Sequence, residues 1–181
     1  MKLTSAEKLI LILLSEIHEN LGIQGGVDTK LITKSIYSGN TWALSWEFSG
    51  VISGESDITN ETPMHVNEVV DILDMYSFIE NAYDSLSNVD KNKIETTVET
   101  LIFYAKFRGF DGNNEPKLYN AANFLIKQMG RFEIFKDRSL NSHSEMLPRY
   151  SNMLKIFNPI RAKLADRSLS CEEIVTLLKV G

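Results

Sequence analysis

The sequence predicts an all-α fold: a single-domain bundle of seven or eight helices over residues 1–181, built around a central apolar helix at about residues 63–87. Three observations lead there. Apolar residues recur at helical spacing along most of the chain, so one face of each segment must be buried. Two capping boxes, Thr4 with Glu7 and Ser170 with Glu173, stand ahead of apolar runs; in each, two side chains satisfy backbone donors that a helix start leaves open. No segment shows the strict alternation of a half-buried strand, and neither an internal repeat nor a low-complexity tract breaks the pattern.

Taken in order, Thr4 and Glu7 start a first helix through Leu9, Ile10, Leu13, Leu14, Ile17 and Leu21, stopped by Gly22, Gly25 and Gly26. The apolar run at residues 9–14 is expected to be a buried helix. Asp28 caps a second helix that stops at Gly39. Trp42 and Trp46, four residues apart, share one face of a short third helix. Residues 54–60 read as a polar loop. Thr62 and Pro63 open the central helix, whose stripe Val66, Val69, Val70, Leu73, Tyr76, Ile79, Tyr83 and Leu86 is widened by Ile72, Met75, Phe78 and Ala82. A helix that apolar has neighbours on several sides. Asp90 caps a fifth helix ending near Gly109, with Phe110 folded back against it. Pro116 starts a sixth helix through Met129, and a seventh covers about residues 145–165, bent or interrupted at Pro159. Ser170 and Glu173 start a terminal amphipathic helix with Ile174, Val175, Leu177 and Leu178.

Composition narrows the function classes. The chain is 43% hydrophobic and 24% charged, enough apolar surface to order a core. A net charge of −5 disfavours nucleic acid and anionic lipid as partners. The longest apolar run is too short to span a bilayer and has no cleavage site, so no membrane association is expected and the cytoplasm is the expected location. The single cysteine, Cys171, allows no internal disulfide, and Glu172 and Glu173 beside it argue against a reactive thiol.

The segments WALSWEFSG (42–50), VVDILDMYSFIENAY (69–83), FRGFDGNNE (107–115) and RSLNSHS (138–144), with the helix at 146–160, resemble the YfbU-like family of uncharacterised bacterial proteins over most of the chain. The links at 22–26 and 54–60 depart from it. The resemblance implies an all-helical fold and no catalytic assignment.

The chain carries no HExxH, Walker A or dinucleotide-binding glycine motif. Asp111-Gly112-Asn113 begins like a calcium loop, but Pro116 and Ala122 occupy the positions that need Gly and Glu. No cofactor and no metal are therefore expected. His18 reads as a half-exposed helix residue and His65 as a solvated one in the first turn of the central helix. Glu80 falls among Leu73, Tyr76 and Tyr83, so it needs a partner, either as a general acid or base or as a structural charge paired with an arginine. Glu47 beside Trp46 carries the same two readings. Trp42, Trp46, Phe48, Tyr76 and Phe78 read as plain core ahead of a ligand pocket.

Two polar loops, 108–115 and 137–144, flank the sixth helix. At roughly fifteen residues that helix is about 22 Å long, which sets the loops at opposite ends unless one folds back. The first is expected to cap helices through Asp111 or Asn113. The second, with Asn141, Ser142, His143 and Ser144, is the candidate for binding a ligand or a partner, because local capping explains less of its chemistry. The leading functional expectation is a self-associating helical interaction or regulatory module, a homo-oligomer with a possible protein partner, its contact surface including the terminal helix. The alternative is a small-molecule binder or enzyme using the loop around His143.

Overall fold

The computed structural model describes residues 3–52 and 62–180, and the loop expected at 54–60 lies outside the described residues. The chain is all-α, and its contacts divide it into two compact units, residues 1–64 with 127–129 and residues 65–126 with 130–181.

In the first unit, α1 (Ser5–Asn20) starts with the expected capping box. The Thr4 hydroxyl accepts from the Glu7 amide, and the Glu7 carboxylate accepts from the Thr4 amide at 2.7 Å. α2 (Thr29–Tyr37) starts at Asp28, whose Oδ1 accepts from the Leu31 amide, and it stops before Gly39, at φ +75°. α3 (Trp42–Glu47) sets the Trp42 and Trp46 rings edge to face, 5.1 Å between centroids. Trp42 Nε1 donates to Asn40, and Trp46 Nε1 donates to Thr62. Glu47 is exposed, so no buried carboxylate forms there. α4 (Ser49–Ile52) follows.

α1 packs against α2, but not through its apolar face. It buries Ser15, while α2 buries Leu31 and Ser35. Leu9, Ile10, Leu13, Leu14, Ile17 and Leu21 are all exposed, between 49% and 70%. The expectation of a buried run at 9–14 is overturned for a simple reason. A helix apolar over most of its girth needs more than one neighbour, and α2 covers a single narrow side.

In the second unit, α5 (Met64–Ser85) buries Val66, Val69, Ile72, Leu73, Met75, Tyr76, Ile79, Glu80 and Ala82, positions that run around most of the helix. Tyr83 departs from the expected burial. It is half-buried, with its hydroxyl donating to Glu95 at 2.9 Å. α6 (Asn88–Val98) is capped by Ser87, whose Oγ accepts from the Asp90 amide; Asp90 is thus the third residue of the helix and not its cap. Nor does this helix reach Gly109. Glu99 turns to φ +48°, a 3₁₀ run covers Glu99–Ala105, and Lys106 is extended. The β-branched run Thr96-Thr97-Val98 precedes the break, and both threonine hydroxyls donate back to carbonyls of the preceding turn. Such bonds weaken and bend helices.

α7 (Pro116–Asn123) is also shorter than expected, passing into a π turn at Phe124–Gln128 that ends at Gly130, φ +64°. α8 (Leu147–Leu164) contains Pro159, and α9 (Cys171–Lys179) opens with the Ser170–Glu173 capping box. α9 packs on α6, on the 3₁₀ run and on α8, with Ile174, Leu177 and Leu178 at 0% exposure. Its apolar face is used up inside the chain, which removes it as the expected contact surface for a second copy. Cys171 is buried there, and burial pushes its thiol pKa up.

The packing sets a measurable cost. Leu73 has no exposed surface, so Leu73→Ala should destabilise the protein by about 2–5 kcal/mol through the cavity it leaves. Urea unfolding followed by far-UV circular dichroism measures this; a loss below about 1 kcal/mol would mean that α5 is not the centre of its unit.

Candidate functional site

The two polar segments lie side by side, and not at opposite ends of a helix. The Phe110 amide donates to the Leu140 carbonyl at 3.0 Å, and the Ser142 amide donates to the Phe110 carbonyl at 3.1 Å. Phe110 and Asn141 thereby form a parallel bridge, the one isolated β-bridge among the described residues. The expected separation fails because α7 is short and the chain turns back after Gly130. Phe132 adopts φ +54°, a 3₁₀ turn covers Glu133–Phe135, and the segment returns along the first loop. Gly109 makes the approach possible. Its φ is +85°, and a Cβ there would stand 2.0 Å from the Leu140 carbonyl oxygen.

Irregular backbone brought indoors must have its polar groups satisfied, and four side chains do most of that. Glu80, 4% exposed on α5, accepts from the Phe107 amide at 2.9 Å and from both terminal nitrogens of Arg138. Tyr150 on α8 accepts from the Arg108 amide and donates to the Gly109 carbonyl at 3.0 Å. Burial pushes the pKa of that phenol up and keeps it a donor. Glu115, 8% exposed, accepts from the Asp111 amide through Oε2 and from the Met146 and Leu147 amides through Oε1. Asn141 Oδ1 accepts from the Gly112 and His143 amides. The aromatic rings of Tyr76, Phe107, Phe110, Phe135 and Tyr150 pack beneath, with neighbouring centroids 5.2–5.8 Å apart.

The residues singled out in the sequence take distinct places. Glu80 is a structural charge paired with an arginine, and that arginine comes from a loop. Asp111 accepts from the Asn113 amide and from the Asn114 side-chain amide; these bonds, the Asn113 amide first, hold its carboxyl below the usual range. It thus braces the turn before α7 and does not cap the first turn of that helix. Asn141 and Ser142 are half-buried at the bridge, and the Ser142 hydroxyl donates to the Ser144 carbonyl. His143 is exposed and sits at φ +56°. The Ser144 hydroxyl lies 3.9 Å from the Met146 sulfur. His65 is half-buried, and its pKa is lowered, by burial first and by Lys117 second.

Among the described residues, no group of three or more His, Cys, Asp and Glu stands close enough to hold a metal ion. No helix among them is long and apolar enough to cross a membrane.

The family profile described as the YfbU domain matches residues 1–180. This chain belongs to the YfbU family. It is also similar to UPF0304 protein MJECS11 of Methanocaldococcus jannaschii, 31% identical over 115 residues, a match that covers 61% of this chain and 64% of that protein. The function of the YfbU/UPF0304 family is uncharacterised. Within this YfbU chain, sequence reasoning missed Glu115 as the cap of another helix. A signal was present. Met146-Leu147-Pro148 opens α8 with Pro in the first turn but with no side-chain cap of its own, so the cap had to come from elsewhere.

Two glycine substitutions separate backbone strain from collision. Gly130 has φ +64° with nothing within 4 Å of a built Cβ, so Gly130→Ala should cost about 1–2 kcal/mol, the left-handed penalty alone. Gly109→Ala adds the clash with Leu140 and should cost about 4 kcal/mol or more. Equal losses in a thermal-unfolding comparison would show that the two loops are not pressed together.

Proposed function

We propose that this YfbU chain works as a self-associating helical module, and that α1 is its contact helix. The observation that carries the reading is the exposed apolar face of α1. Ile10, Leu14, Ile17 and Leu21 follow one another at spacings of four, three and four residues, the seam of a helix pair, with Leu9 and Leu13 beside them. With Ile23 and Val27, also exposed, the surface amounts to on the order of 800 Å² per copy, the share each partner gives a standard interface. Isolated exposed leucines need no explanation, but a contiguous patch of this size marks a contact site. A two-fold pairing of α1 with α1 satisfies it, because a self-complementary face is what cyclic dimers use.

Sedimentation equilibrium should give a dimer mass, and the double variant Leu14→Glu/Ile17→Glu should give a monomer with unchanged helical content. A wild-type monomer across the micromolar to millimolar range would end this reading.

A second reading keeps a ligand- or partner-binding role for Asn141, Ser142, His143 and Ser144. It is favoured by His143, an exposed imidazole held at positive φ, since strain of that kind gathers at functional sites. Asp111→Ala should lower the melting temperature, because Asp111 braces the turn, while His143→Ala should leave it close to wild type. If His143→Ala proves as destabilising as Asp111→Ala, the histidine is part of the scaffold and this reading falls.

A further inference from the structure

Beside the joined loops is a cleft of about 260 Å³, lined by Lys106, Phe107, Arg108, Arg138, Ser139 and Asn141. We propose that it binds a small oxyanion, phosphate or a phosphomonoester. The inference is independent of self-association through α1.

Local geometry gathers the donors. Lys106 is extended, at φ −112° and ψ 141°, so side chains alternate along the segment. Phe107 goes into the core, and Lys106 and Arg108 stay exposed. The backbone between them is pinned, the Phe107 amide on Glu80 and the Arg108 amide on Tyr150. The Arg108 guanidinium carbon lies 3.7 Å from the centroid of the Phe103 ring, which steadies a long side chain without using its N–H groups. Arg138 is held by Glu80 through both terminal nitrogens. A guanidinium has five N–H donors, so three of Arg138's remain. Asn141 spends its Oδ1 on two backbone amides, leaving its NH₂ to donate. The Ser139 Oγ accepts from the Asn141 amide, leaving its O–H free to donate.

The charge balance favours an anion. No carboxylate lines the cleft. Glu80 neutralises Arg138 from behind, and among the described residues no salt bridge engages Lys106 or Arg108. Two uncompensated cations, on a chain of net charge −5, match the charge of a phosphate dianion. A tetrahedral oxyanion also suits a cleft whose donors come from two segments, 106–108 and 138–141. Size limits the ligand further. The cleft is just below the roughly 300–1,000 Å³ of sites for drug-sized molecules, so it takes a phosphate with a small substituent and excludes a dinucleotide.

The test is titration of the full chain with inorganic phosphate, followed by amide NMR shifts, with sodium chloride at matched ionic strength and glycerol phosphate as parallel arms. Saturable shifts confined to residues 106–108 and 138–143 are expected with both phosphates and not with chloride. The double variant Lys106→Gln/Arg108→Gln should weaken binding by about tenfold or more, since it removes both charge-assisted contacts. Lys163→Gln, an exposed lysine outside the cleft, should bind as wild type. Should the double variant lose its native spectrum, Lys106→Gln alone serves, with a smaller loss expected. Saturation by glycerol phosphate but not by inorganic phosphate would assign the site to a phosphomonoester. No saturable shift with either phosphate, equal shifts with chloride, or a folded variant that binds like wild type would each overturn the proposal.

Discussion

The second unit depends on one buried carboxylate. Glu80 leaves the middle of an apolar helix and meets, at once, a backbone amide at residue 107 and the guanidinium of residue 138. Carrying an ion indoors is costly, and a buried pair often adds little net stability over apolar packing. What the pair supplies here is location. It ties two segments that are far apart in sequence to the same point on α5, and the bridge between Phe110 and Asn141 forms where those segments are held together. An apolar residue at 80 could fill the space. It could not tell the chain which amide to present there.

Around that point the rest of the polar network follows from backbone accounting. Two irregular loops packed on five aromatic rings would bury unpaired amides and carbonyls, each costly when left without a partner. Tyr150, Glu115 and Asn141 remove that cost, each reaching from a different part of the chain. Glu115 adds a favourable charge, since its carboxylate sits on the first amides of α8, where the helix dipole is positive. The backbone of both loops is thereby tied at several points, and Lys106, Arg108 and His143 are the exposed side chains it carries.

Much of this was legible in the sequence. The all-helical class, both capping boxes and the burial of Leu73, Tyr76 and Ile79 follow from periodicity and local capping chemistry, which act over a few residues. The need of Glu80 for a partner was legible, but the identity of Arg138 was not, because the pair joins residues 58 positions apart. The meeting of the two loops is hidden from the sequence for a local reason. The pattern at 116–129 is helical throughout, yet the π turn at Phe124–Gln128 and the reversal after Gly130 shorten the helix that was to hold the loops apart. A positive φ at Phe132, like those at Glu99 and Ala165, leaves no mark in residue type.

α1 and α9 show where sequence patterning stops being informative about contacts. Both open with a capping box and both carry an apolar face on a helix of ordinary polarity. Their fates are opposite: Ile174, Leu177 and Leu178 are wholly buried, while Ile10, Leu14 and Ile17 are each more than half exposed. The amphipathic pattern states that a face must be covered and is silent about what covers it. α9 finds its cover in α6, the 3₁₀ run and α8, whereas α1 has α2 on the side of Ser15 and Ser35. Leu11 and Ile12 are half-buried, and the other large apolar residues of α1 are left exposed. A helix whose apolar face is wider than its one neighbour covers leaves the remainder exposed, and on α1 that remainder is Leu9, Ile10, Leu13, Leu14 and Ile17.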